Sequence, residues 1–186
     1  MKSFVWYGFS LLLISVFPFS SYSDEQLVAV CTSCHSSDQS NYIPNINGQS
    51  AQYLQRALLN YRANIVPSAM MPRIASRLTD QEIEWISDYF SNQKVTILPT
   101  TEEKNLPGSE IYQKKCATCH QLSNIGIPQI KGLPQAYLED TMHLFKQGRR
   151  IMPASMGYYI SNMTDKEVQH VVEYLSRFEV IHHDRG

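Results

Sequence analysis

Apolar side chains recur at helical spacing in two stretches of the chain that begin in the same way. Each stretch opens with a threonine followed three residues later by a glutamate, Thr79 with Glu82 and Thr164 with Glu167. This is the capping-box pattern of a helix N-terminus. The apolar stripe that follows predicts one buried helix face, formed by Ile83, Ile86, Tyr89 and Phe90 in one stretch and by Val168, Val171, Tyr174 and Leu175 in the other.

Two further helices are predicted in each half of the chain. The first covers residues 25–34 and 110–119, and the second covers residues 52–62 and 136–146. We expect the capped helix to pack its stripe on the first helix. No segment alternates apolar and polar residues as a half-buried strand would, so the predicted fold class is all-α.

The two halves are copies of one another. Cys31 aligns with Cys116 at an offset of 85 residues, whereas Pro44 aligns with Pro128 at an offset of 84. An internal repeat of this length indicates two small domains in tandem. We predict a first domain at 24–93, a linker at 94–107, a second domain at 108–181 and a polar tail at 182–186. His182 and His183 in the tail are expected to be solvated.

The N-terminal residues 1–23 are predicted to be a signal peptide that is removed on export. Lys2 is followed by a short apolar run, and the segment ends at Ser23 in a small-x-small pattern, as secretory signals do. The apolar run is shorter than the roughly 20 residues of a spanning helix. An uncleaved anchor is the alternative interpretation.

The four cysteines all lie in one motif that occurs twice, C-x-x-C-H. On a helix this spacing places two thiols and an imidazole on one face, as covalent attachment of haem c requires. A zinc site or a pair of redox dithiols would not require the histidine. The motif therefore predicts two covalently attached haem c groups, with thioether bonds and a proximal iron ligand supplied by Cys31, Cys34 and His35 and by Cys116, Cys119 and His120.

The sixth iron ligand is predicted to be a methionine in each half. Met71 and Met156 both lie 36 residues after the motif histidine and nine before an aspartate. This shared register favours them over the other methionines, of which Met70 and Met152 remain contenders. His143 and His170 have no counterpart in the first half, which disfavours ligation by two histidines.

Two loop prolines, Pro44 and Pro128, are predicted to support the haem histidines. A backbone carbonyl from such a loop accepts a hydrogen bond from the second imidazole nitrogen and makes the ligand more basic. The alternative is a plain turn proline. If the prediction holds, replacing Pro44 alters the first haem's reduction potential and leaves haem attachment intact.

The net charge of the chain is −1, which gives no case for nucleic-acid binding. The first half is net negative and the second net positive. A set of cations in the second half either forms a docking patch that steers a redox partner or is an ordinary solvated surface. This basic set comprises Lys114, Lys115, Lys131, Lys146, Arg149 and Arg150.

These motifs together resemble the two-haem class I cytochromes c of the cytochrome c4 type. The resemblance covers nearly the whole chain after residue 23. Gly48-Gln49 has the Gly-Gln pair of that family, whereas Gly132-Leu133 departs from it. It implies two tandem cytochrome-c-like helical domains, each enclosing one covalently bound haem c with His/Met ligation. It also implies a periplasmic one-electron carrier, not an enzyme, acting as a monomer between redox partner proteins.

Three features of the function are left open by the resemblance. The partners implied are a terminal oxidase or a dehydrogenase, with docking to a membrane complex as one arrangement. An alternative function is the dihaem cytochrome subunit of a flavocytochrome sulfide dehydrogenase. Another is a dihaem enzyme such as thiosulfate dehydrogenase, in which one iron lacks its methionine.

Overall fold

The computed structural model describes residues 23–35, 40–100, 105–121 and 126–183. The predicted signal peptide lies outside the described residues except for Ser23. Over the described ranges, the chain forms nine helices and two short strands. In chain order these are α1 (Asp24–His35), α2 (Ala51–Arg62), α3 (Met71–Ala75), α4 (Asp80–Ser91), β1 (Val95–Pro99), α5 (Pro107–Lys115), α6 (Ala117–His120), α7 (Gln135–Lys146), α8 (Ala154–Ser161), α9 (Asp165–Ser176) and β2 (Phe178–His182).

Helices α4 and α9 begin as the capping pattern predicts. The Thr79 hydroxyl accepts a hydrogen bond from the Glu82 amide, and Thr164 does the same for Glu167. Each glutamate side chain in turn accepts from the threonine amide, at 2.7 Å in α4 and 2.9 Å in α9. Both reciprocal pairs satisfy amide groups that the first helical turn leaves without partners.

Each repeat has its own apolar core, formed where the stripe of the capped helix meets the other helices. The first core centres on Leu27, Leu54, Ile86 and Phe90. The second is larger and includes Tyr112, Leu138, Val171, Val172, Tyr174 and Leu175. In the second repeat the capped helix α9 packs on α5, as predicted, whereas in the first repeat α4 packs mainly on α2 and shares its apolar core with Leu27 of α1. The mostly helical architecture matches the predicted class.

The first helix of the second repeat differs from the prediction. It is continuous in the first repeat, where α1 includes the whole C-x-x-C-H motif. In the second repeat it is divided into α5 and α6 at Cys116, whose φ and ψ are −125° and −40°. Gly108 in α5 permits close contact with α9, because a Cβ at this position would lie 2.0 Å from the His170 carbonyl oxygen.

A two-stranded antiparallel sheet joins the two repeats, which the sequence pattern did not predict. Strand β1 lies in the predicted linker and pairs with β2 after α9, with Ile97 opposite Val180. Contrary to the expectation of a solvated tail, His182 is the last residue of β2 and is half-buried. Pairing of β1 with β2 therefore links the two domains.

Two equivalent glycines allow the two-stranded sheet to pack closely on the domains. Gly48 and Gly132 have φ angles of +69° and +80°, and their amides donate to the carbonyls of Phe90 and Leu175 at 2.9 Å. A Cβ on Gly132 would lie 2.6 Å from Val180 Cγ2. Only glycine accepts this combination of backbone angle and close contact without strain.

Among the described residues, none of the helices combines the length and the apolar character needed to cross a membrane.

Candidate functional site: two cysteine-histidine centres

The cysteines of both motifs lie on or beside a helix, and none of the four forms a disulfide. Cys31 and Cys116 are half-buried, whereas Cys34 and Cys119 are exposed. Burial raises the pKa of Cys31 and of Cys116 to about 11. In each motif one thiol therefore faces the interior of the domain and the second lies at its edge, which is the placement that two thioether bonds to one porphyrin need.

Both motif histidines are oriented by a loop carbonyl. His35 Nδ1 lies 2.7 Å from the Pro44 carbonyl oxygen, and His120 Nδ1 lies 2.8 Å from that of Pro128. The carbonyl accepts a hydrogen bond, so Nδ1 carries the proton and Nε2 keeps its lone pair. Burial lowers the pKa of both imidazoles, with the bond to the proline carbonyl acting in the opposite direction. Both rings are thus neutral and prepared to bind a metal through Nε2.

An apolar cavity adjoins the second histidine. His120, Cys116 and Met156 all belong to its lining. The remaining lining is dominated by aliphatic, aromatic and sulfur-containing side chains, namely Ile130, Leu138, Met142, Phe145, Tyr159, Ile160, Met163, Val171, Val172 and Leu175. Free thiols, a neutral imidazole and an apolar wall together fit a covalently bound haem.

The methionines selected by register lie in two short helices that were not predicted. Met71 is the first residue of α3 and is half-buried, whereas the neighbouring Met70 is 62% exposed. Met156 lies in α8 and lines the apolar cavity. Met152 packs against the second core, so the geometry around the second histidine offers more than one sulfur.

The remaining histidines make other contacts. His143 is exposed on α7, with Nε2 lying 2.7 Å from Gln147 Nε2. His182 contacts two asparagines of the first repeat, Asn45 and Asn47, and His183 Nε2 lies 2.7 Å from Thr96 Oγ1. The two tail histidines therefore belong to the contact between the repeats.

A cluster of tyrosines and one arginine lies between the repeats and was missed at the sequence level. Tyr53 and Tyr61 come from the first repeat and Tyr137 and Arg150 from the second. Arg150 Nη2 lies 3.4 Å from the Tyr137 hydroxyl. Burial raises the pKa of Tyr53 and of Tyr61. At the sequence level, only the alignment of Tyr53-Leu54 with Tyr137-Leu138 at an offset of 84 residues indicates that the two tyrosines occupy equivalent positions.

The basic set of the second repeat is largely engaged within the domain. Lys114, Lys115 and Lys146 form ion pairs with Glu110, Glu167 and Asp165 at 2.5, 2.6 and 2.5 Å. Two further cations lie over aromatic rings, Lys131 at 4.3 Å from the Phe178 centroid and Arg150 at 5.4 Å from that of Phe145. These partners reduce the positive field available to steer another protein.

Comparison with known families gives a match over most of the chain. Residues 24–90 and 103–175 match the family model described as cytochrome c oxidase, cbb3-type, subunit III. The two matched segments correspond to the two repeats, so each repeat is by itself a domain of this family.

Two proteins with assigned names are similar to the chain. Cytochrome c4 of Stutzerimonas stutzeri is 27% identical over 176 residues, which cover 80% of this chain and 84% of that protein. The cytochrome subunit of sulfide dehydrogenase from Chlorobaculum tepidum is 35% identical over 80 residues, covering 42% of this chain and 73% of that subunit.

A solved structure has the same architecture. The crystal structure of reduced recombinant cytochrome c4 from Pseudomonas stutzeri superimposes with a TM-score of 0.67 at 24% identity, covering 82% of this chain and 95% of that one. The fold of two tandem helical domains is therefore shared.

Proposed function

Because the chain belongs to the cytochrome family typified by subunit III of cbb3-type cytochrome c oxidase, we propose that both of its irons have His/Met ligation and exchange electrons with other proteins outside the cytoplasm. The chain is a dihaem cytochrome c of the c4 type and carries electrons. Its two haem c groups are covalently attached at the two C-x-x-C-H motifs.

The observation that carries the ligand assignment is the repeated bond between a motif histidine and a proline carbonyl. It orients His35 and His120 alike, at 2.7 and 2.8 Å, and leaves Nε2 available in both. Together with the shared register of Met71 and Met156, it supports His35 and Met71 as the residues that would hold one iron and His120 and Met156 as those that would hold the other.

Each haem, when bound, supplies a one-electron iron couple. The chain would supply a histidine and a methionine to each iron, an apolar enclosure that limits water access, and a carbonyl that makes each imidazole more electron-donating. With both of these ligands bound, neither iron would have an open position for a substrate. This arrangement favours a carrier over an enzyme.

The partners follow from this chemistry. A carrier of this type needs a protein that donates electrons and one that accepts them, and a dehydrogenase and a terminal oxidase fit these roles. Export by the predicted signal peptide at residues 1–23 supports a periplasmic location, where c-type haem is attached. The chain is proposed to work as a monomer.

The test is to record the near-infrared band in which methionine sulfur transfers charge to oxidised iron. The unmodified holoprotein is expected to show the intensity of two such centres and to bind neither carbon monoxide nor cyanide readily. Met71→Ala and Met156→Ala are each expected to remove half of the band and open one iron. Retention of the full band in either variant would refute the assignment.

Two matched variants control for loss of a nearby sulfur. Met70→Ala removes the neighbour of Met71, which is 62% exposed, and Met152→Ala removes a methionine of the second core. Both proteins are expected to keep the band and the closed irons. Loss of intensity in one of them would transfer the ligand role to that residue.

A second candidate function is supported by the similarity to the sulfide dehydrogenase cytochrome subunit, which reaches 35% identity over 80 residues. In that case the chain would be one part of a permanent complex with a flavoprotein. Purification of the untagged protein from its own cells distinguishes the two, because a subunit co-elutes with a flavin-containing chain in a fixed ratio.

A further inference from the structure

The loops that orient the haem histidines are each contacted by the opposite repeat. Gln129, directly after Pro128, makes two hydrogen bonds with a single side chain of the first repeat. Gln49 Nε2 donates to the Gln129 carbonyl at 2.8 Å, and Gln49 Oε1 accepts from the Gln129 amide at 2.9 Å. Gln49 is only 7% exposed, so water competes little for either bond.

The reverse contact involves His182 at the end of β2. Asn45, directly after Pro44, places Nδ2 at 2.9 Å from His182 Nε2, and Asn47 Nδ2 lies 3.3 Å from Nδ1. The Asn45 side chain also accepts from the Asn47 amide at 2.9 Å. The second repeat thus contacts the loop whose carbonyl orients His35.

The contacts are not a requirement of the repeated fold. The equivalent of Gln49 in the second repeat is Leu133, which is 8% exposed and part of the core. The equivalent of His182 is Ile97 in β1. Each position therefore accepts an aliphatic residue in one copy of the fold, and the polar residue is present only where it reaches the partner loop.

We infer that Gln49 is a positioning residue for the second haem and His182 is one for the first, so that each repeat helps to set the reduction potential of the other. This inference depends on the proposed function, in which each iron is held by one histidine and one methionine. Holding the backbone next to Pro128 fixes the carbonyl against His120 Nδ1. A firm bond there makes the imidazole more electron-donating, stabilises oxidised iron and lowers the potential.

The test uses Gln49→Leu, which installs the residue found at the equivalent place of the other repeat. Its matched control is Gln93→Leu. Gln93 lines the same cleft of about 610 Å³ between the repeats, but its Nε2 donates to the Tyr89 carbonyl within its own repeat at 2.8 Å. The reciprocal variant is His182→Ile, which installs the residue that the first repeat has at the equivalent Ile97.

The readout is a redox titration followed by nuclear magnetic resonance, in which the haem methyl signals of the two centres are separated. The second haem is identified through Ile130, which lines the cavity beside His120 and would lie close to a haem bound there. Gln49→Leu is expected to raise the second potential more than the first and to speed hydrogen exchange at the Gln129 amide. His182→Ile is expected to raise the first more than the second, and Gln93→Leu to change neither.

Equal shifts in both haems, an unmoved second potential in Gln49→Leu, or the same shift in Gln93→Leu would each overturn the inference. Gln49→Met, which keeps the side-chain length, replaces the leucine variant if that protein does not fold. Failure of the ligation itself is recognised separately, because the unmodified protein would then lack the methionine-to-iron band of one centre.

Discussion

Tyr53 and Tyr137 hold the same position in the two repeats, and their hydroxyl groups interact electrostatically across the domain interface. Like residues meet in this way when two copies of a fold pack around an approximate two-fold axis. Arg150 adds a cation to the cluster, with Nη2 lying 3.4 Å from the Tyr137 hydroxyl. The interface therefore contains a polar centre that neither repeat has alone.

Removing one hydroxyl from this pair should weaken the contact between the domains. Tyr53→Phe is expected to lower the free energy of unfolding of the holoprotein by about 1 kcal/mol, since the groups facing it at the interface lose a buried polar neighbour. Tyr137→Phe should lower the free energy of unfolding by a similar amount. The double variant should lose less than the sum of the two single losses. Denaturant unfolding measures all three.

Tyr42→Phe is the matched control, because Tyr42 is 53% exposed. It should change the stability by less than about 0.5 kcal/mol. Strict additivity of Tyr53→Phe and Tyr137→Phe would show that the two hydroxyls do not act on each other.

A pair of glycine variants separates backbone strain from close packing. Gly132 and Gly148 have φ angles of +80° and +67°, but only Gly132 lies against another element, with Val180 Cγ2 at 2.6 Å from an added Cβ. Gly148→Ala should lower the free energy of unfolding by about 1 kcal/mol, because alanine is strained in the left-handed backbone conformation. Gly132→Ala should cost about 3 kcal/mol, because Val180 must also move. Thermal unfolding of both variants at one pH gives the comparison, and equal losses would contradict the close contact.

Most helices could be predicted because their signals are local. Thr79 and Glu82 define a helix start within one turn, and the interval from Cys31 to His35 is shorter than two turns. The contact between His35 and Pro44 spans nine residues, so a short loop determines it. The motifs and the loop prolines could be identified from the pattern because the residues that interact there lie close together in the chain.

The contacts between the repeats could not be predicted, because they join residues far apart in the chain. Gln49 and Gln129 are separated by 80 residues, and β1 has only five residues, which is too short to show alternation against its proline and exposed leucine. Helix α1 and the α5–α6 pair carry the same motif, yet only one is continuous. Contacts between the repeats decide the strand pairing and the Gln49 bond, and local sequence preferences do not report such distant contacts. Nothing in the structure explains why only α1 is continuous.

The free energy of unfolding in acid should depend on Glu167, because the groups around this carboxyl lower its pKa. Hydrogen bonding from Lys115, and then from the Thr164 amide, lowers the pKa of this carboxyl from 4.5 to about 2. The folded state therefore binds fewer protons than the unfolded state, so the stabilisation is complete above pH about 4.5 and is lost as the pH falls towards about 2. Glu167→Gln should flatten the stability profile in this range.

Lys115→Met tests the cause of that shift. It removes the main hydrogen-bond donor and leaves the capping threonine in place, so the acid transition should move to higher pH than in the unmodified protein. Unfolding free energies measured at pH steps across the range provide the profile. Superimposable profiles for the unmodified protein and Glu167→Gln would show that another group controls the transition.

The response of electron exchange to salt should be shallow, because the basic set of the second repeat is largely paired. Lys115 and Lys146 are held by carboxylates at 2.6 and 2.5 Å, and Lys131 lies over three aromatic rings. Strong steering changes association rates by roughly 10- to 1,000-fold. For the anionic probe hexacyanoferrate, we expect the stopped-flow rate to change by less than about threefold when the Debye length falls from about 30 to 10 Å. Arg149→Gln, at an exposed position, serves as the charge control. A steep fall of the electron-exchange rate with salt that is absent in this variant would contradict the prediction and support a docking patch for a partner.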